Sequence, residues 1–260
     1  TGKWYKILAG GVLLGMATLT RTVSGLFLAI VIPFWFFESR DFKCTLKCGL
    51  LALVGFVVVV TPWIIRNHYA VGTARINTNT GINLFIGNQP GSGITYDQNL
   101  INQYGVYEPT LEAYIDSSSF RRACEYIRQN PGVFLRRGLL KVGYLYSADM
   151  DALYFGVIEA AEQSTINHAV VLAVVAQSFY LLVLLAALAG LAVFFRSGIT
   201  VRKPGGYLLL GTILYWTAIS FVFFAVGRFH FPIIPMISAF AALYIRHLVE
   251  RIRTVSETDR

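Results

Sequence analysis

Apolar runs alternate with short basic segments along this chain, and one long polar stretch, from about 67 to 167, interrupts them. A first run covers 4–19 and a second 23–37, with Thr20-Arg21-Thr22 between them. Each is shorter than the roughly 20 residues a helix needs to cross a bilayer. They predict either two short helices or a re-entrant pair meeting at Arg21. Further runs at 48–65, 168–195, 207–226 and 229–245 complete the pattern, and the fourth run carries no charged residue. The expectation is an all-α polytopic membrane protein with about six transmembrane helices and an outward-facing extramembrane segment. Its parts are three helices in 1–66, the polar segment in 67–167, three helices in 168–248 and a basic tail in 249–260.

Inside the polar segment, Asn130-Pro131 predicts a helix start, with asparagine as cap and proline at the first position. Downstream, Leu135, Leu139, Val142 and Tyr146 form one stripe at helical spacing, with Arg136, Arg137 and Lys141 on the other side. That pattern fits a helix lying in the membrane interface with its basic face toward phosphates. It fits equally a helix packed on the protein's own membrane domain with a solvated basic face. A second helix of mixed polarity is expected near 110–129.

Composition agrees with membrane residence. The 260 residues are 55% hydrophobic and 14% charged, with mean hydropathy +0.58, whereas soluble domains carry about 25% charged residues. The net charge of +8 could serve nucleic acid, but its placement argues against that partner. The positive residues sit in short segments between apolar runs, the pattern that fixes membrane orientation. Putting the N-terminus, the 38–47 and 196–206 segments and the C-terminus on one side gathers twelve of the 22 Lys and Arg there. That side is then cytoplasmic, and 67–167 is extracytoplasmic at the cell (inner) membrane. The three cysteines, Cys44, Cys48 and Cys124, have neither a disulfide pattern nor metal-ligand spacing.

Arg228 is the one charge between the last two runs, in Gly227-Arg228-Phe229-His230-Phe231-Pro232-Ile233-Ile234-Pro235. Arginine within a bilayer costs roughly 2.5–3.5 kcal/mol even on lenient scales, so it calls for a partner or a task. The two prolines open backbone groups beside it, and a guanidinium can donate two parallel hydrogen bonds to a phosphate. Interfacial anchoring is the competing role. Arg21 falls at the same outer level, so Arg21, Arg228 and His230 together could clamp a phosphate. Asp149-Met150-Asp151 resembles a D-x-D metal motif, yet no further ligands stand at suitable spacing, so no metal site and no certain cofactor is assigned. The glycine-rich Gly87-Asn88-Gln89-Pro90-Gly91-Ser92-Gly93 lacks the lysine of a phosphate loop and reads as a turn.

Several stretches, taken in order, resemble membrane glycosyltransferases of the protein mannosyltransferase-like group, which have the GT-C architecture. They are Gly15-Met16-Ala17-Thr18-Leu19-Thr20-Arg21, Thr61-Pro62-Trp63-Ile64-Ile65-Arg66-Asn67, and Asn79 through Asn88. Ile127-Arg128-Gln129-Asn130-Pro131 with Lys141, and Arg228-Phe229-His230-Phe231-Pro232 with Pro235, follow. The resemblance implies a GT-C-like fold and transfer of a sugar from a polyprenyl-phosphate donor to an acceptor lipid or protein at the outer face. It places Arg228, His230, Arg21 and Lys141 at the lipid-phosphate and substrate end. The family's general base is a carboxylate in its first outer loop, and here the first outer turn has none. The chain, which begins Thr1-Gly2-Lys3-Trp4, therefore reads as the C-terminal portion of such an enzyme without the catalytic acid. A polytopic transporter or non-catalytic membrane protein with an anion site is the alternative, Arg228 and a broken helix then serving an anion pathway.

Overall fold

A computed structural model describes residues 4–96, 111–147, 163–196 and 204–258, and these are helical or connecting chain with no strand among them. Five helical stretches are long and apolar enough to cross a membrane: Thr22–Ser39, Phe42–Val71, Val170–Arg196, Gly205–Val222 and Gly227–Thr254. Trp4–Thr20 is apolar but shorter. The protein is thus an all-α, multi-pass membrane protein. It divides into two compact units, one of residues 1–140 with 221–224, the other of 141–220 with 225–260.

The first unit opens with α1 (Trp4–Thr20), a short 3-10 helix (Thr22–Phe27) and α2 (Leu28–Ser39). The chain leaves α1 at Arg21, whose extended backbone (φ −139°, ψ 105°) starts the 3-10 turn, and no break separates that turn from α2. Of the two arrangements weighed for this region, the chain forms one 17-residue helix and a second stretch of 18 residues. Arg40, in the left-handed region at φ 53°, reverses the chain. Asp41 then caps α3 (Phe42–Val71) by accepting from the amides of Lys43 and Cys44 at 2.8 and 3.2 Å.

Helix α3 packs against α1 through small residues. A Cβ on Gly11 would collide with the carbonyl oxygen of Ala52, and one on Gly55 with that of Leu8. Backbones that approach so closely are a usual way for helices to associate in lipid, where burial of apolar surface supplies no drive. Pro62, three residues before the end of the apolar run at 65, lies inside α3, which continues to Val71 and stops at Gly72 with φ 73°. The polar segment therefore emerges from a helix that outlasts its apolar run.

The chain beyond Gly72 is tied back onto α3. Asn67 Nδ2 donates to the carbonyls of Arg75 and Ile76 at 2.8 and 3.2 Å, and Trp63 Nε1 donates to Ile76 at 3.0 Å. The short α4 (Thr80–Gly87) is buried along Leu84, Phe85 and Ile86 and packs with Ala123 of α5 (Glu112–Gln129). Helix α6 (Pro131–Ser147) follows, with Asn130 between the two. The helix start falls where the Asn-Pro pair places it, but the asparagine side chain turns back and donates to Tyr126 O at 3.1 Å.

In the second unit, α7 (Gln163–Arg196) and α9 (Ile234–Thr258) form the main packed pair. Their core gathers Ala187, Phe194, Ile233, Ile237, Phe240 and Ala241. Gly190 is the close point, since a Cβ there would collide with the carbonyl oxygen of Phe240. Between them run α8 (Pro204–Val222) and a 3-10 helix (Gly227–Ile233) that carries the chain into α9. The last two runs are joined by this irregular stretch. Pro232 and Pro235 lack amide hydrogens, which keeps a regular helix from starting earlier.

Candidate functional site

Lys141 and His230 are both fully buried, at 0% exposure. They come from segments far apart in sequence, α6 and the 3-10 helix. His230 Nδ1 lies 3.0 Å from the carbonyl oxygen of Leu145, one helical turn beyond Lys141 on the same side of α6. Tyr180 of α7 stacks on the imidazole with ring centroids 5.0 Å apart and planes at 27°. Its hydroxyl donates to Tyr146 O at 3.3 Å, and the Tyr146 hydroxyl meets Thr217 Oγ1 of α8 at 2.6 Å. Burial pushes the Tyr146 hydroxyl above its ordinary pKa, opposed in part by the bond to Thr217. The second unit thus holds a buried lysine and a buried histidine stacked on a buried tyrosine, with the exposed Arg228 two residues before His230.

This placement changes the reading of α6. Lys141 does not lie on a solvated basic surface; it is enclosed, as are Gly138 and Leu145 on the same side. Arg136 is exposed and Arg137 half-buried. Leu135 and Leu139 of the apolar stripe are exposed, while Val142 and Tyr146 are half-buried. Periodicity located the stripe, but the face turned inward is set by what the helix packs on. A buried ammonium is costly unless charge or hydrogen bonds compensate it, so Lys141 is the residue here least explained by packing alone.

Arg21 belongs to the first unit and is exposed. Its neighbour Thr22 accepts a hydrogen bond from Asn77 Nδ2 at 2.7 Å, and Asn77 Oδ1 accepts from Thr80 at 2.7 Å. The turn at Arg21 is thereby joined to the Asn77–Asn88 stretch. Of the four residues singled out in the sequence, Lys141, His230 and Arg228 share the second unit, and Arg21 stands in the first.

The first unit also contains a buried carboxylate that sequence reasoning missed. Asp116, 1% exposed, accepts from the amides of Gly81 and Ile82 at 2.5 and 3.3 Å and from Arg75 at 3.0 Å. It closes the start of α4 from a neighbouring helix, and a Cβ on Gly81 would strike its backbone. With these donors on its oxygens, Asp116 serves as an anchor in preference to a general base. Beside it, the Thr78 hydroxyl donates to Glu112. Only the fold brings Asp116 to Gly81, so no local signal marked it.

Gln89 is a second unforeseen feature. It is 0% exposed, its amide N–H donates to Ser92 Oγ at 3.0 Å, and its carbonyl accepts from Arg137 at 2.8 Å. Neither polar atom of its side chain has a hydrogen-bond partner among the described residues. No cluster of three metal-ligating side chains occurs among the described residues, and Asp149-Met150-Asp151 lies outside them. Comparison with protein-family models, with curated proteins and with solved structures gives no match to this chain.

Proposed function

We propose that the chain is the C-terminal portion of a membrane glycosyltransferase that moves a sugar from a polyprenyl-phosphate donor to an acceptor lipid or protein at the extracytoplasmic face. The observation that carries this reading is the complete burial of two basic side chains in the second unit, Lys141 and His230, with the exposed Arg228 two residues before the histidine. Cationic donors held in a water-poor interior bind a phosphate leaving group strongly and need little rearrangement as charge develops on it. Arg228 would meet the phosphate first, because a guanidinium offers paired donors at the surface. Lys141 would supply the enclosed charge. His230, oriented by Leu145 O and the Tyr180 ring, would fix the floor of the site. The ordered resemblance along the whole chain supports the same substrate class. The acceptor's general base lies outside the residues assigned here.

The test uses membranes containing the full-length protein and a radiolabelled polyprenyl-phosphate sugar. Arg228→Ala and Lys141→Met are each expected to lower transfer at least about 100-fold, the order of loss seen when a transition-state donor is removed. Insertion and detergent-solubilised stability should persist, because Arg228 is exposed and methionine matches the lysine stem in shape. Wild-type transfer in both variants overturns the site. An anion flux that needs Arg228, without sugar transfer, would establish the transport alternative instead.

A further inference from the structure

Helix α3 has two distinct faces. Thr45, Gly49, Ala52 and Gly55 are buried on one. On the opposite side, Lys43, Leu46, Lys47, Leu50, Leu51 and Val54 line a shallow groove of about 440 Å³. The groove's lining is almost wholly apolar, and at its beginning Lys43 and Lys47 contribute mainly their methylene stems, with the ammonium groups at the rim. Lys43 and Lys47 stand one turn apart, and Val54 lies about 10 Å further along the axis at 1.5 Å per residue. Neither lysine side chain has a hydrogen-bond or ion-pair partner among the described residues. The nearest acid in sequence, Asp41, is engaged with the amides of Lys43 and Cys44, so the helix terminus itself is already capped. Glu38, on α2, forms no ion pair with them.

We propose that this groove seats one anionic phospholipid. Its phosphodiester lies between the two ammonium groups, and an acyl chain runs along Leu46, Leu50 and Val54. Two features favour this occupant over a protein segment. The groove lies on the outward face of a helix long and apolar enough to span the bilayer, and its order, cationic then apolar, follows the order of a phospholipid from headgroup to chain. Lysines near a membrane surface each attract anionic lipid by about 1 kcal/mol, so two on one face give selectivity over a zwitterionic lipid. This site is independent of the sugar-transfer reading.

The experiment is native mass spectrometry of the purified full chain, delipidated and offered equal phosphatidylglycerol and phosphatidylcholine. The wild type is expected to retain one phosphatidylglycerol with at least tenfold preference. The Lys43→Gln, Lys47→Gln double variant should fall to near parity. Val54→Trp, which fills the apolar end, should weaken retention with both lysines present. Arg251→Gln with Arg253→Gln, removing two exposed charges elsewhere, should leave the preference intact. Equal retention of the two lipids by the wild type overturns the proposal. An unchanged double variant, an unaffected Val54→Trp, or equal loss in the arginine control does the same.

Discussion

Gln89 shows how far a single side chain can depart from the usual rule that buried polar atoms are paired. Leaving a buried donor or acceptor unsatisfied costs about 1–3 kcal/mol, and here both amide atoms are enclosed without a partner among the described residues. Gln89→Met keeps the length of the side chain and removes both polar atoms. It is expected to raise stability by about 1–2 kcal/mol, read as a higher unfolding midpoint of the purified protein in detergent. A lowered midpoint would show that ordered water satisfies the amide. Asp116 is the contrasting case, fully employed by Gly81, Ile82 and Arg75. Neither role could be read from local sequence. Gln89 stands in a stretch that reads as a turn, and Asp116 is one acid among several in a polar helix. The basic residues were more legible: an arginine between two apolar runs is conspicuous whatever the fold. Even there the sequence could not say that Arg228 is exposed while His230, two positions on, is wholly enclosed.

Among the elements, the small-residue contacts set which helices pair. Gly11 of α1 faces Ala52 with no room for a Cβ, whereas Gly10 beside it meets nothing within 4 Å. Gly11→Leu should therefore destabilise the first unit by about 3 kcal/mol through overpacking, and Gly10→Leu should be nearly neutral. Unfolding midpoints of the two variants in the same detergent provide the comparison, and equal midpoints would remove the α1–α3 contact as the cause. The glycines of α1 announce a close approach in the sequence, but only the fold tells which of them makes it. Helix α6 gives a complementary lesson. Its start at Pro131 and its periodic stripe are readable, because proline geometry and the 3.6-residue repeat are local properties. Which side turns inward is not, since a helix with leucines and lysines on adjacent sides can bury either, and here it encloses Lys141. The length of α3 was underestimated for a related reason. Hydropathy ends where the apolar residues end, whereas hydrogen bonding and the ties from Asn67 and Trp63 carry the helix on to Val71.

At the scale of the molecule, the five apolar helices of spanning length among the described residues make it a multi-pass membrane protein, and the charge distribution supplies an orientation that can be tested. The proposed arrangement puts Cys124, exposed on α5, on the extracytoplasmic side and Cys44, exposed at the start of α3, on the cytoplasmic side. A membrane-impermeant maleimide applied to intact cells should label Cys124 and reach Cys44 only after permeabilisation, with Cys48 replaced by serine to simplify the reading. The reverse order of labelling would invert the topology. It would also move the Arg21 turn to the cytoplasmic face.

The sequence by itself determined the class of the molecule and the approximate positions of its apolar helices, and it singled out the basic residues now proposed to meet a phosphate. These follow from composition, period and charge, which act over a few residues and survive without knowledge of neighbours. The tertiary structure alone decided that Lys141 and His230 are both enclosed, with Tyr180 stacked on the histidine, that Asp116 closes the start of α4, and that the Gln89 side chain is buried without a hydrogen-bond partner among the described residues. It also decided which face of α3 is packed, leaving Lys43, Lys47 and the apolar positions after them on the exposed side. Burial and pairing are relations between distant segments, fixed by which helix faces meet, and no window of the chain contains both sides of such a contact.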